Sequence, residues 1–107
     1  MVDRTIIAII KKYLKSLQEE GIHSSQAVLF GSYARGQVHE WSDIDLVVIA
    51  PEFDQEYDQD LAEGLWVAAG RADSRIEPIP CGQSEWAQET GRPVLEIARQ
   101  EGIIIYS

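Results

Sequence analysis

The chain has 107 residues, enough for one hydrophobic core but not two, so a single domain spanning residues 1 to 107 is expected. It is 45% hydrophobic and 25% charged, an ordinary globular balance, and no apolar run approaches the roughly 20 residues that a bilayer span requires. Eighteen acids against nine bases give a net charge of −9, and from Gly36 to Gly70 there are nine acids and no Lys or Arg; a protein that neutralises nucleic-acid phosphates needs the opposite pattern, so no direct nucleic-acid partner and no membrane partner are expected.

Residues 3 to 19 open the chain with Ile6, Ile9, Ile10, Tyr13, Leu14 and Leu17, an apolar stripe at helical spacing. Asp3 can cap its start and Gly21 ends it. The "IIAII" within it (6 to 10) is too short for a signal core and follows Asp3 and Arg4, so no targeting segment is read there. "AVLF" (27 to 30) is a short apolar strand that runs into Gly31, and "SYARG" after it is long enough for one helical turn. "DIDLVVIA" (43 to 50) is a second strand, β-branched and stopped by Pro51. Residues 56 to 69 read as a helix with Tyr57, Leu61, Leu65 and Ala68 on one side. "RIEPIP" (75 to 80) is a third strand whose two prolines confine it to an edge or a strand end. Pro93 then opens a helix, with Leu95 and Ile97 inward, Gly102 closes it, and "IIIYS" finishes as a last strand. Strands and helices alternate, so the expected fold class is α/β (α+β), a small mixed sheet flanked by helices. The one cysteine, Cys81, allows no internal disulfide and fits a reducing compartment, hence a cytoplasmic protein. No Cys-His pattern makes it a nucleophile.

The stretch "GSYARGQVHEWSDID" (31 to 45) carries the chemistry. Gly31 at the corner after a strand lets a phosphate approach the backbone with no side chain in the way. The N–H groups that start the turn favour an anion; Ser32 adds a hydroxyl and Arg35 a cation that cannot lose its proton. Asp43 and Asp45 alternate on one strand, so they project to one side with their Cα atoms roughly 7 Å apart. Ile44, Leu46 and Val48 face the other way, toward a core. Two carboxylates so placed can share two divalent ions about 3.5–4 Å apart. An isolated Asp-x-Asp is most often a solvated strand entry. Joined to a Gly-Ser step ten residues upstream, the coincidence falls to roughly one in a thousand on average residue frequencies. Arg35 could contact phosphates or pair at the surface with Glu40.

Gly31-Ser32, ten residues, then Asp43-x-Asp45 resembles the signature of nucleotidyltransferases of the DNA polymerase β superfamily. "GSYARGQVHEWSDIDLVV" looks most like the minimal nucleotidyltransferases that accompany a HEPN-domain partner in many prokaryotes. The resemblance covers about residues 26 to 80 and implies a nucleotidyltransferase core with its cleft at one edge of the sheet. It implies transfer of a nucleoside monophosphate from a triphosphate, with ATP as donor, two Mg2+ ions and release of pyrophosphate. On it, Gly31 and Ser32 would hold the β- and γ-phosphates, Asp43 and Asp45 the metals, and Arg35 the leaving phosphates. The superfamily also has a third carboxylate on a neighbouring strand. Glu77 is the candidate here, a departure from the commoner Asp, with Asp73 as the alternative.

His23 and His39 are isolated and fit no metal spacing, and Trp41, Trp66 and Trp86 read as core or partner-facing residues. Beyond residue 80 there are only two short elements, so the acceptor side is expected to be open or completed by another protein. The resemblance then implies a HEPN-type toxin as partner, adenylylated on a tyrosine, with the −9 charge complementing a basic surface. Two other classes stay open: an antitoxin that acts by binding alone, and a small-molecule (aminoglycoside-like) nucleotidyltransferase that completes its acceptor site by homodimerisation.

Overall fold

The computed structural model describes residues 2–56, 58–89 and 91–107. Helix α1 (Arg4–Leu17) starts where Asp3 accepts a hydrogen bond from the Thr5 N–H at 2.7 Å, a side-chain cap for one of the helix's orphan donors. A short 3-10 turn, Gln18–Glu20, continues it to Gly21, whose φ of 78° closes the helix in the left-handed region. Strand β1 (Gln26–Phe30) is followed by the single helical turn α2 (Ser32–Arg35) and strand β2 (Ile44–Ala50). Helix α3 (Gln59–Ala72), strand β3 (Ile76–Gly82), helices α4 (Gln83–Ala87) and α5 (Pro93–Glu101), and strand β4 (Ile103–Tyr106) complete the chain order.

The sheet order is β3-β2-β1-β4. β1 pairs antiparallel with both β2 and β4, and β2 pairs parallel with β3, so the sheet is mixed as expected. β3 lies on an edge, which its prolines require. Pro78 and Pro80 are two residues apart, so both missing N–H groups fall on the same side of the strand, the side with no partner to bond.

Alternation along the strands sends two sets of side chains to opposite faces. On one face Ala27, Leu29, Ile44, Leu46, Val48, Ile76 and Ile105 pack with Ile6, Ile10, Tyr13, Leu14 and Leu17 of α1 and with Leu65, Ala68 and Ala69 of α3. The buried Tyr13 hydroxyl donates to the Leu65 carbonyl at 3.0 Å, so the two helices are tied and the polar group is satisfied. On the other face Val28, Phe30, Val47, Ile49 and Cys81 pack against Leu95 and Ala98 of α5, with Trp86 of α4 alongside. Among the described residues no helix is long and apolar enough to cross a membrane.

Several expectations need correction. Helix α3 begins at Gln59, three residues later than its apolar pattern suggests, because Asp58 caps it through the N–H groups of Asp60 and Leu61. Tyr57, assigned to that helix, lies outside the described residues. Ile97 is 48% exposed, whereas Leu95 and Ala98 are buried. At 100° per residue, position 97 stands roughly 200° round from Leu95, on the outer face. Three elements follow β3, since Gln83–Ala87 is helical as well. Trp41 and Trp66, read as core or partner-facing, are exposed at 81% and 53%, which removes only the core alternative for them, and Trp86 is packed. Arg99 lies over its ring, 4.8 Å from the centroid.

Candidate functional site

The acids sit at the lip of the face covered by α5. Asp45 pairs in register with Phe30 on β1 and with Glu77 on β3. Partners in register share a face, so Glu77 stands beside Asp45, continuing the row that Ile79 and Cys81 form opposite Val47 and Ile49. Asp43 precedes the strand and is exposed; Asp45 is half-buried and Glu77 exposed. A turn aims Asp43. The buried Ser42 accepts the His39 N–H at its hydroxyl, 2.8 Å, and donates its own N–H to the His39 carbonyl, 3.0 Å. The Trp41 N–H donates to His39 Nδ1 at 3.2 Å, so His39 shapes this loop. His23 instead meets Glu52 at 3.0 Å, away from the acids.

Gly31 links this carboxylate row to the turn. Its φ of 74° lies in the region that side chains disfavour, and a Cβ built there would collide with Asp45 Oδ2. Only a glycine lets the turn lie directly against the carboxylate. Ser32 and Tyr33 follow on α2, both half-buried. Burial first, then the negative fields of Asp43 and Glu77, raise the Asp45 pKa above the ordinary carboxylate value; Arg35 opposes this and Glu101 adds to it. Four carboxylates thus face one guanidinium.

Arg35 does not reach Glu40. Its Nη1 donates to Glu101 Oε1 at 3.1 Å and its Nε to Gln37 Oε1 at 3.3 Å. Asp73 is engaged elsewhere: Arg75 donates to both of its oxygens, at 2.9 and 2.7 Å, and also to the Tyr33 hydroxyl at 2.9 Å. Those bonds hold the Asp73 carboxyl below its usual range and tie α2 to the start of β3. Cys81 is inert, buried with its thiol pushed up to about 12 by burial and the neighbouring Glu85.

The structure therefore brings Gly31, Asp43, Asp45, Glu77 and Arg35 into one electrostatic neighbourhood and places Ser32 at the turn. Sequence reasoning missed Glu101, which no local pattern marks. Among the described residues no three His, Cys, Asp or Glu side chains are gathered tightly enough to enclose a metal ion. The donor set nevertheless suits magnesium. It is all oxygen, and its repulsion is relieved by a cation. Magnesium also commonly takes one or two carboxylates and fills its other positions with water and substrate phosphates. A cavity of about 370 Å3 lies at the other end of β2 and β3, floored by Phe53, Leu61, Leu65 and Pro80. Its rim carries Glu52, Glu56, Asp58 and Glu85 against Arg92, a poor setting for a triphosphate.

The family model for the nucleotidyltransferase domain matches residues 7–99. A comparison with curated proteins finds no match. Among solved structures, a toxin–antitoxin crystallised with AMP-PNP superposes with a TM-score of 0.62 at 23% identity, covering 94% of this chain and 73% of that one. A Sulfolobus solfataricus protein described as a candidate nucleotidyltransferase superposes with a TM-score of 0.61 at 14% identity, covering 92% and 77%. Both carry the same mixed sheet flanked by helices.

Proposed function

The chain belongs to the nucleotidyltransferase domain family, and on that footing we propose that it moves AMP from ATP to a hydroxyl of a partner protein, a tyrosine of a HEPN-type toxin, as the antitoxin of the pair. The observation that carries the reading is the fit of Gly31 against Asp45. A triphosphate lying on the turn would meet the carboxylate row at its α-phosphate. Ser32 binds the β/γ end through its hydroxyl and N–H, and Arg35 faces the leaving phosphates. Asp43 and Asp45, with Glu77 in register beside them, would hold two magnesium ions, which neutralise the departing pyrophosphate and lower the pKa of the attacking hydroxyl when bound. The acceptor oxygen bonds to the α-phosphorus as the bond to pyrophosphate breaks, and the acceptor's proton leaves to solvent.

Asp43 and Glu77 are both exposed, so the acceptor side is open enough for a side chain presented by another protein. The −9 charge suits a basic partner surface. The toxin–antitoxin neighbour is a structure of this fold that was crystallised with an ATP analogue, which supports both the donor and the partner class.

Incubation with magnesium, the partner and ATP labelled at its α-phosphate tests the reading. Label should appear on protein and vanish on chelation. Label on an aminoglycoside and none on any protein would move the assignment to a small-molecule enzyme. A second reading, an antitoxin that binds nucleotide and partner without transfer, is favoured by the loose spacing of the three acids. Magnesium-dependent ATP binding with no transferred label would select it.

Ser32→Ala separates the two ends of the nucleotide. It should weaken ATP binding by roughly ten- to a hundredfold, the worth of one hydrogen bond to a charged group, and leave AMP nearly unchanged in calorimetry with magnesium. Equal losses for both ligands would misplace Ser32.

A further inference from the structure

We infer that Glu101, at the end of α5, is a positioning residue for the triphosphate: it holds Arg35 and the Gly31 turn from the far end of the chain. The inference rests on the nucleotide reading above. Glu101 Oε1 accepts both the Gly31 N–H and Arg35 Nη1, each at 3.1 Å, across 70 and 66 residues of sequence. Glu101 Oε2 makes only the longer 3.4 Å contact to the same Nη1. Gln37 takes the Nε of Arg35. Among the described residues Arg35 Nη2 makes no hydrogen bond, so with Nε and Nη1 both held it is the donor left for a phosphate oxygen.

The placement is costly in two ways, which argues that the contact is kept for what it aligns. Glu101 is the last residue of α5, where the helix field disfavours a carboxylate. It also adds to the negative field on Asp45. An acid there is tolerated because the Arg35 guanidinium and the Gly31 N–H offset it, and both of those groups belong to the turn that faces Asp45. An isolated Arg35, 46% exposed along its side chain, would sample many rotamers; pinned by Glu101 and Gln37, it presents its remaining donors in one direction.

Titrations of the full chain with ATP and with AMP, both in magnesium, test this. Glu101→Ala should weaken ATP about tenfold, as expected for losing one charge-assisted alignment. AMP should stay within about twofold. On an Arg35→Ala background, Glu101→Ala should cost clearly less than its tenfold in the parent, because the part of its action that runs through the guanidinium is already lost and only the Gly31 contact remains. Glu101→Gln keeps the shape and an acceptor for the Gly31 N–H. It should fold like the parent and weaken ATP by roughly threefold, so the proposal stays testable if the alanine variant unfolds. ATP binding as tight as wild type or tighter in either Glu101 variant would overturn it, and so would full additivity with Arg35→Ala. If Ser32→Ala is ATP-selective while the Glu101 variants are not, only this inference fails. If the wild type binds no ATP, the nucleotide reading fails and takes this one with it.

Discussion

In the proposed reaction Asp45→Asn should abolish transfer, lowering its rate on the order of a thousandfold or more, and at neutral pH without divalent cations it should leave the folded protein more stable than the wild type. The first effect follows from losing a charged ligand in the carboxylate row. The second follows from the pKa. Burial, Asp43 and Glu77 raise the Asp45 value above its ordinary 3.8, with Glu101 adding and Arg35 alone opposing. The folded state therefore holds this proton more tightly than the unfolded chain does. That contribution to stability is complete below the unfolded-state pKa and is lost as pH rises through the folded-state value. Thermal unfolding in chelator should show the variant ahead at pH 7, with the gap closing as pH falls toward the unfolded-state pKa. A wild-type transfer rate in the variant would remove Asp45 from the metal site, and lower stability at pH 7 would contradict the electrostatic account.

Gly31→Ala acts in the opposite sense on stability. The φ of 74° costs a side chain energy whatever the surrounding space, and here the Cβ also meets Asp45 Oδ2. Together these should lower stability by about 1–3 kcal/mol and remove transfer, since the turn cannot keep its place against the carboxylate. In a Gly31→Ala, Asp45→Ala double variant the collision is gone and only the backbone strain remains, so part of the lost stability returns. Unfolding of Gly31→Ala, Asp45→Ala and their double variant, each against the wild type, measures that coupling. Strict additivity would mean that the turn and the acid are not in contact.

The contrast between these two residues also shows what the sequence made legible. Gly31, Ser32, Asp43 and Asp45 lie within fifteen residues, and their meaning is carried by strand alternation and one turn. The β1–α2–β2 unit follows from that local pattern, and Pro78 and Pro80 correctly place β3 on an edge. Glu77 could be named only because the resemblance calls for a carboxylate on a neighbouring strand; its register with Asp45 is a property of the β2–β3 pairing. Glu101 and the Arg75 clamp on Asp73 and Tyr33 had no local signal at all. The Glu101 contacts and the Arg75–Tyr33 bond are made when distant segments pack, the Arg75–Asp73 pair is a local turn contact, and apolar periodicity says nothing about either kind of polar partner. Ile97 and the start of α3 were misread for a related reason. Apolar residues suggest a face, but the Asp58 cap and the position of Leu95 and Ala98 against the sheet decide it.

Transfer to a partner protein is the centre of the account, and intact-mass measurement of a HEPN-type partner tests it most directly. After incubation with this chain, ATP and magnesium, the partner should gain one or more adenylyl groups on a tyrosine. The Asp43→Asn, Asp45→Asn double variant should leave it unmodified and active. A partner that stays unmodified with the wild type, yet is inhibited equally by the wild type and the double variant, would contradict the enzymatic account and leave an antitoxin that acts by binding alone.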